Sequence, residues 1–483
     1  MAGEDISPIE EQPQPFNATK LEPAKKRRGD SKGGASPSNP YKRQRTPSPQ
    51  PEARKQKRPG KRARITDAEQ ELIRQKQLER EKEQEAAITK QGIHDAVKQH
   101  YNMVPERGRE WRKTDSRIKG LRSFNNWIKS TIIQKFSPDE DFTPPVRDRE
   151  GYQFAEGPTP KGLLVLDLGC GKGGDLGKWQ QAPQKVALYV GLDPADVSID
   201  QAKDRYRQMK DRGRGGRGGR GGRGYQNNRP QPDLFHAELY PKDCFGESIA
   251  DIPIVQEVGF SGSGGPARFD GGGFDVVSMM FCLHYAFESE AKARQMLKNV
   301  SGALKKGGRL IGCIPNSAVI SEKVRQFNAR MAPKPEGDKP AEDGEAIVQV
   351  NPEDEREEGE AEETCEWGNN IYQVRFPGST PADGIFRPPF GQKYNYFLHE
   401  AVEEVPEYVV PWGIFRQLAE DYNLEMQYHK GFDEIWEAEK DDPQLGPLSE
   451  RMGVRERGRG PLLVSDEEME AASFYVAFCF YKV

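Results

Sequence analysis

Residues 165–175, VLDLGCGKGGD, place four glycines directly after an apolar run. Gly169, Gly171, Gly173 and Gly174 permit a tight turn, and three of them satisfy the pattern GxGxxG. In an open α/β sheet, the turn after a strand lies at the carboxyl edge, where ligands bind. The turn therefore predicts a site for a dinucleotide, a nucleoside triphosphate, or a nucleoside that carries no phosphate.

Three nearby residues help to distinguish between these three ligand classes. A P-loop needs Ser or Thr after its lysine to bind Mg²⁺, whereas Gly173 follows Lys172 here, which disfavours a triphosphate. A dinucleotide stays open, because Asp193 lies about 20 residues beyond the glycines, where a carboxylate binds a ribose diol. Asp167, just before the turn, would repel a pyrophosphate and attract a cationic sulfonium. The pattern favours S-adenosylmethionine, although a structural, hydrogen-bonded Asp167 fits either cofactor.

Alternating apolar strands and helical segments surround this turn. Residues 163–169, 186–193, 274–281 and 308–315 are continuous apolar runs, and helical patterns follow the first three. This alternation predicts an α/β fold with a doubly wound, mostly parallel, Rossmann-like sheet and helices on both faces. The aromatic and β-branched run 472–483 predicts a terminal strand.

The net charge of −4 hides a strongly basic N-terminal part. Residues 1–66 contain 16 Lys and Arg against 7 Asp and Glu, with few large apolar side chains. Such a composition cannot bury enough surface to form a core. We therefore predict a disordered basic extension over 1–92, suited to nuclear localisation or nucleic-acid contact. A tail that only increases solubility is the alternative.

The remaining residues, 93–483, are predicted to form the catalytic domain, with two flexible loops inserted at 211–231 and 332–364. The first contains the arginine–glycine run 212–224, and the second contains the acidic run 353–363. Neither run has large apolar residues that could be buried in a core, so both are predicted to be surface loops within one domain and not domain boundaries.

Six scattered cysteines, without CxxC or zinc-like spacing, predict reduced thiols and no metal site. No apolar run approaches the roughly 20 residues that cross a bilayer. Together these features predict an intracellular protein without a membrane partner.

Beyond the glycine turn, the chain resembles the mRNA cap guanine-N7 methyltransferases of fungal type, which are class I S-adenosylmethionine-dependent enzymes. The resemblance covers roughly residues 93–483 and consists of blocks in family order. Besides residues 165–175 and 192–206, the blocks are HYN (100–102), LRSFNNWIKS (121–130), FCLHYAFES (281–289), PNS (315–317), VPEY (405–408) and ASFYVAF (472–478). The resemblance implies methyl transfer from S-adenosylmethionine to N7 of the terminal guanine of GpppRNA during cap formation.

The resemblance also implies which residues bind the cofactor: Lys129, Gly169, Asp193, Asp243, Met280 and Tyr285. Their chemistry agrees, since Lys129 suits the methionine carboxylate, Asp193 the ribose hydroxyls and Asp243 the adenine amino group. The family usually has glutamine where this chain has Met280, so any contact there is expected from the backbone.

A second set is implied for the cap: Asn125, Asn126, Lys172, Lys178, Arg205, His284, Glu407 and Tyr475. Glu407 suits the N1–H and amino edge of guanine, and the three basic side chains suit the triphosphate bridge. No catalytic base is expected, because N7 has an in-plane lone pair and no proton at neutral pH. His284 is therefore predicted as a cap contact, with a structural histidine as the alternative.

The implied partners are 5′-capped RNA, the capping guanylyltransferase and the phosphorylated tail of RNA polymerase II, in the nucleus. An inactive RNA-binding protein with the same fold is disfavoured, because Asp193, Asp243 and Glu407 are intact. The cap-contact blocks count against a methyltransferase for protein arginine or a small metabolite. A nicotinamide oxidoreductase is the most distant alternative.

Overall fold

The apolar runs predicted as strands lie side by side at the centre of a seven-stranded sheet in the computed structural model of the chain. The structure describes residues 93–103, 111, 114–143, 146–147, 153–154, 161–215, 233–261, 272–332 and 364–483. The chain divides into Met1–Leu72 and Ile73–Val483, and every described residue belongs to the second unit. The predicted extension 1–92 and most of both predicted loops lie outside the described residues.

The described strands have the following bounds: β1 Val146–Arg147, β2 Gln153–Phe154, β3 Leu163–Leu168, β4 Val186–Asp193, β5 His236–Pro241, β6 Phe274–Met280, β7 Leu304–Pro315, β8 Glu366–Gly368, β9 Tyr372–Arg375, β10 Lys393–Leu398, β11 Val402–Tyr408, β12 Leu424–Gly431 and β13 Tyr475–Lys482. The main sheet has the order β12-β13-β7-β6-β3-β4-β5. Strands β3 to β7 pair in parallel, and β13 pairs antiparallel with both β7 and β12. The predicted α/β fold with a mostly parallel sheet is confirmed.

The described helices have the following bounds: α1 Ile93–Met103, α2 Lys119–Phe136, α3 Leu176–Trp179, α4 Asp196–Gly215, α5 Pro253–Val258, α6 Glu290–Ala303, α7 Ser317–Met331, α8 Trp412–Glu420, α9 Phe432–Glu439, α10 Leu445–Met452 and α11 Asp466–Ser473, with a 3₁₀ helix at Leu283–Glu288. Because α4 continues to Gly215, the first five residues of the predicted loop 211–231 are helical. No described helix has both the length and the apolar character that a membrane span needs.

Both faces of the main sheet are buried, as the continuous apolar runs predicted. Leu163 and Val165 of β3 pack in the cluster that includes Trp127 of α2, whereas Leu164 and Leu166 pack in the opposite cluster. This alternation follows from the two-residue period of a strand. A strand that is buried on both faces is predominantly apolar, which is the pattern read from the sequence.

A second sheet, not predicted from the sequence, follows the acidic run. Its four antiparallel strands have the order β11-β10-β9-β8. Tyr394 of β10 pairs directly with Glu407 of β11, so their side chains lie on the same face. The strand β11 contacts the 3₁₀ helix that carries His284 and Tyr285. The second sheet therefore brings a carboxylate close to the loop after β6.

Candidate active site

The glycine turn between β3 and α3 requires glycine. Gly169, Gly171 and Gly173 have φ values of +71°, +51° and +66°, a region that side-chain-bearing residues rarely adopt. A Cβ atom on Gly169 would lie 2.7 Å from the Cys282 side chain. Backbone and packing therefore both exclude a larger residue at Gly169, and the turn leaves its backbone open to a ligand.

Asp193 at the end of β4 holds this turn in place. Its two carboxylate oxygens accept hydrogen bonds from the backbone N–H of Gly171 at 2.8 Å and of Ala195 at 2.9 Å. A carboxylate offers about four acceptor sites, which suits hydroxyl donors of a ligand as well as backbone amides. Asp193 thus connects the turn after β3 to the turn after β4.

A cavity of about 400 Å³ opens above this edge of the sheet, a volume within the range of small-molecule sites. Seven of the predicted site residues line it: Lys129, Gly169, Lys172, Asp193, Arg205, Met280 and Tyr285. The other seven do not line it: Asn125, Asn126, Lys178, Asp243, His284, Glu407 and Tyr475. The fold thus gathers half of the predicted residues from five separate segments of the chain.

Lys129 and Lys178 share one carboxylate that the sequence reading missed. Asp175, the last residue of VLDLGCGKGGD, lies 2.8 Å from the Lys129 ammonium and 2.6 Å from that of Lys178. All three side chains are nearly buried. Lys178, predicted as a triphosphate contact, is therefore engaged with Asp175 behind the cavity, and Lys129 reaches the cavity wall from α2.

The pKa values of this cluster follow from its charges. Burial opposes ionisation of Asp175, but Lys129 and Lys178 outweigh it and hold the pKa of Asp175 well below its usual range. Burial, together with the Lys129 charge, lowers the pKa of Lys178 to about 8 against the attraction of Asp175. Asp175 is consequently ionised throughout the neutral range, and it holds the two like charges together.

Asp167 does not act as predicted. Its side chain is 2% exposed and accepts hydrogen bonds from the Tyr189 and Ser278 hydroxyls at 2.5 Å each. Burial, reinforced by the charge of Asp175, raises the pKa of Asp167 to about 7 despite these bonds. A buried carboxyl with that pKa, absent from the cavity wall, is a structural brace between β3, β4 and β6. The structure therefore supports the alternative given above, in which Asp167 is a structural, hydrogen-bonded carboxyl.

The raised pKa of Asp167 has a consequence for stability. A carboxyl whose pKa is higher in the folded state binds its proton more tightly there, so its contribution is present at low pH and is lost as the pH rises to about 7. We expect the free energy of unfolding of the wild type to fall relative to Asp167→Asn between pH 5 and pH 8. Urea denaturation of both proteins at four pH values tests this. Parallel curves would mean that Asp167 does not titrate in this range.

Tyr285 is held by a hydroxyl from α1. The Tyr101 and Tyr285 hydroxyl oxygens are 2.9 Å apart, and both residues line the cavity. Tyr101 belongs to the block HYN, but the sequence reading gave it no role. Burial raises the pKa of both phenols, so both remain neutral and able to donate.

Phe281 connects the cavity to Tyr475. Its φ of +63° is unusual for an aromatic residue, and its amide nitrogen donates to the carbonyl of Cys313 at 3.0 Å. Its ring lies 4.9 Å from that of Tyr475, and the Lys129 ammonium lies 5.7 Å from its centroid. Non-glycine residues in this conformation concentrate at functional sites. Tyr475 thus lies one side chain behind the cavity wall.

Glu407 and His284 form a buried pair next to the cavity. Glu407 Oε1 lies 3.4 Å from His284 Nε2, and the residues are 4% and 1% exposed. Neither ring nitrogen of His284 has a hydrogen-bond partner among the described residues. Their chain neighbours, Tyr285 and Tyr408, line the cavity. Buried polar atoms without partners indicate a place where a ligand completes the hydrogen bonding.

Helix α2 presents its polar face to the cavity, since Leu121, Phe124 and Ile128 pack into the core. Arg122 and Lys129 line the cavity, and Asn125 and Asn126 lie between them on the same helix. The side-chain amide of Asn126 donates to the Arg122 carbonyl at 2.7 Å. The asparagine pair is therefore helical, and neither residue lines the cavity.

Asp243 caps the turn after β5. Its Oδ1 accepts from the backbone N–H of Phe245 at 2.9 Å and of Gly246 at 3.1 Å. Phe245, which the sequence reading did not select, lines the cavity. Asp243 thus supports an aromatic wall of the cavity.

The chain is similar to proteins of one known family. A family model described as the mRNA (guanine-N(7))-methyltransferase domain matches residues 83–334 and 343–483. An mRNA cap guanine-N(7) methyltransferase from Pyricularia oryzae is 62% identical over 480 residues, covering 97% of this chain and 91% of the relative. A protein of the same name from Schizosaccharomyces pombe is 40% identical over 391 residues, covering 80% and 82%.

Among solved structures, an S-adenosylmethionine-dependent methyltransferase from Clostridium acetobutylicum aligns with 10% identity and a TM-score of 0.33, covering 77% of this chain and 96% of that one. The family model spans most of the chain, and the two fungal relatives share one name. The resemblance read from the sequence blocks is confirmed: this chain belongs to the mRNA (guanine-N(7))-methyltransferase family.

Proposed function

We propose that the chain transfers a methyl group from S-adenosylmethionine to N7 of the terminal guanine of GpppRNA. One observation carries the proposal beyond family membership. The cavity at the glycine turn adjoins a buried Glu407–His284 pair whose histidine nitrogens have no hydrogen-bond partner among the described residues. We assign the cavity to the cofactor and the adjacent Glu407 carboxylate to the guanine base.

The residues of the cavity fit the methyl donor. Asp193 offers a carboxylate to the ribose hydroxyls, and Lys129 offers an ammonium to the methionine carboxylate. Asp243 accepts from the backbone N–H of Phe245, which lines the cavity, and we assign its carboxylate to the adenine amino group, as the family resemblance implies. When bound, S-adenosylmethionine supplies an electrophilic methyl group on a sulfonium. Met280 lines the cavity with a thioether that cannot donate a hydrogen bond.

The protein's contribution to the reaction is positioning. Guanine N7 needs no deprotonation, so His284 is not required as a base, and its place beside Glu407 suits a cap contact. Holding two reactants in line lowers a barrier by converting a bimolecular step into an effectively unimolecular one. We assign this role to the cavity walls formed by Phe281 and Tyr285, with Tyr475 packed behind Phe281.

Glu407 selects the base in this proposal. Guanine presents N1–H and an amino group side by side, and a carboxylate accepts from both. Adenine offers no such pair of donors, so a buried Glu407 would be left unsatisfied with adenine, which is costly.

Basic side chains suit the triphosphate bridge. Lys172 and Arg205 line the cavity and are assigned to the phosphates. Lys178 does not line the cavity, and we assign it an indirect role, because its ammonium is paired with Asp175, which also pairs with Lys129.

The test uses labelled S-adenosylmethionine with RNA that ends either in GpppG or in an unblocked triphosphate. We expect label on N7 of the cap guanine after nuclease digestion, and none on the uncapped RNA. A competing arginine-rich peptide should not reduce the label on the cap. Cofactor binding without label on the cap would overturn the proposal in favour of an inactive RNA-binding protein or another acceptor.

We also propose that the protein acts in the nucleus with the capping guanylyltransferase and the phosphorylated tail of RNA polymerase II. Support comes from the chemistry of the basic residues 1–66 and from the need to act on newly capped RNA. Removing residues 1–66 should shift a fluorescent fusion out of the nucleus and weaken co-purification of both partners. Unchanged localisation and co-purification would contradict this proposal and leave methyl transfer unaffected.

A further inference from the structure

Tyr394 lies directly opposite Glu407 in the second sheet. Its hydroxyl donates to Glu407 Oε2 at 2.8 Å, and both side chains are buried. The other carboxylate oxygen, Oε1, lies on the side of His284 Nε2 at 3.4 Å. The two oxygens of Glu407 therefore have different neighbours, one in the sheet and one in the loop beside the cavity.

We propose that Tyr394 is a positioning residue for guanine selection: its hydroxyl fixes Oε2 so that Oε1 and the remaining lone pair of Oε2 face the guanine edge. This inference rests on the proposed function, in which Glu407 reads the base. It adds a residue that the cap-contact set does not contain.

A hydrogen-bond donor is needed to orient the Glu407 carboxylate, because the glutamate side chain can rotate about its last torsion. The last torsion of glutamate has a broad, weakly preferred distribution, so packing alone does not set the plane of its carboxylate. Two adjacent guanine donors demand a defined plane, since hydrogen bonds weaken steeply as their angles deviate. A donor fixed to one oxygen supplies that orientation before the cap binds.

Tyr394 is itself well fixed and stays protonated. Its ring packs 5.7 Å from that of Phe376 and 6.5 Å from that of Phe474, so the hydroxyl has little freedom to move away. Burial, and then the charge of Glu407, raise the pKa of the Tyr394 phenol well above its usual range. The group therefore remains a hydrogen-bond donor at every pH at which the enzyme would be assayed.

The second sheet offers a matched control. Tyr372 is also a buried tyrosine, and its hydroxyl donates a hydrogen bond to the Glu470 carboxylate at 3.2 Å. Neither Tyr372 nor Glu470 is an assigned cap residue. Tyr372→Phe and Tyr394→Phe each remove one buried hydroxyl and keep the ring. Both variants should therefore fold, and Tyr394→Phe should lose more thermal stability, because Glu407 is buried whereas Glu470 is exposed.

The test compares kcat/KM for GpppRNA and for the inosine-capped analogue, which lacks the 2-amino group. For Tyr394→Phe we expect the preference for guanine to fall about tenfold, mainly through KM for GpppRNA, with the S-adenosylmethionine Kd unchanged. Tyr372→Phe should keep the wild-type preference. An unchanged preference in Tyr394→Phe would overturn the inference and leave Tyr394 a structural residue.

Glu407→Gln separates this inference from the proposed function. If Glu407→Gln loses the preference for guanine and Tyr394→Phe keeps it, Glu407 reads the base without help from Tyr394, and only the inference fails. If Glu407→Gln itself keeps the preference, the assignment of base selection to Glu407 fails as well.

Discussion

We expect Glu407→Ala to reduce kcat/KM for GpppRNA by a factor of roughly 10² to 10⁴. The substitution removes two hydrogen bonds from guanine donors to a carboxylate, each contributing about 1.5–3 kcal/mol. It also leaves Tyr394, which donates to Glu407 at 2.8 Å, without its acceptor. Methyl-transfer kinetics with saturating S-adenosylmethionine measure the effect.

Cofactor affinity should be almost unchanged in the same variant, because Glu407 does not line the cavity that we assign to S-adenosylmethionine. Calorimetric titration with the cofactor tests this. Glu403→Ala, an exposed glutamate on the same strand, is the matched control and should behave like the wild type. Equal losses of cap methylation and cofactor binding would show that the two sites are not separate.

Asp193→Ala should weaken S-adenosylmethionine binding by roughly 10²-fold or more. Two effects combine: the ribose hydroxyls lose a charged acceptor, and the backbone N–H groups of Gly171 and Ala195 lose theirs. The second effect loosens the glycine turn that forms the floor of the cavity. The loss should therefore appear in the cofactor Kd, measured by calorimetry, before any cap substrate is added.

Asp196→Ala is the control for that experiment. Asp196 lies three residues further on, at the start of α4, with its side chain 61% exposed and in contact with Asn102 and Lys98. We expect its removal to leave the cofactor Kd within about twofold of the wild type, since exposed pairs contribute little. If both variants bind the cofactor as the wild type does, Asp193 is not the ribose contact.

The central strands and the glycine turn were readable from the sequence because both depend on local chemistry. A strand buried on both faces is predominantly apolar, as in β3 and β6, and a turn with positive φ angles favours glycine, as at Gly169. The family followed from blocks in a fixed order, which needs no knowledge of contacts.

The second sheet escaped the sequence reading for a physical reason. Its strands are three to seven residues long and carry many polar residues, so no continuous apolar run marks them. Tyr394 and Tyr396 do alternate as one buried face of a strand would, and this was the available signal. Without the sheet, nothing indicated that Glu407 has a tyrosine partner.

The sequence by itself determined the α/β class, the cofactor turn and the types of residue that the chemistry uses. Only the tertiary structure decided which charges meet: that Asp175 holds both Lys129 and Lys178, that Asp167 is a buried brace, and that Glu407 lies beside His284. The reason is that pKa values and hydrogen bonds depend on burial and on neighbours distant in the chain, such as Glu407 and His284, which are 123 positions apart. Local patterns carry no record of such pairings.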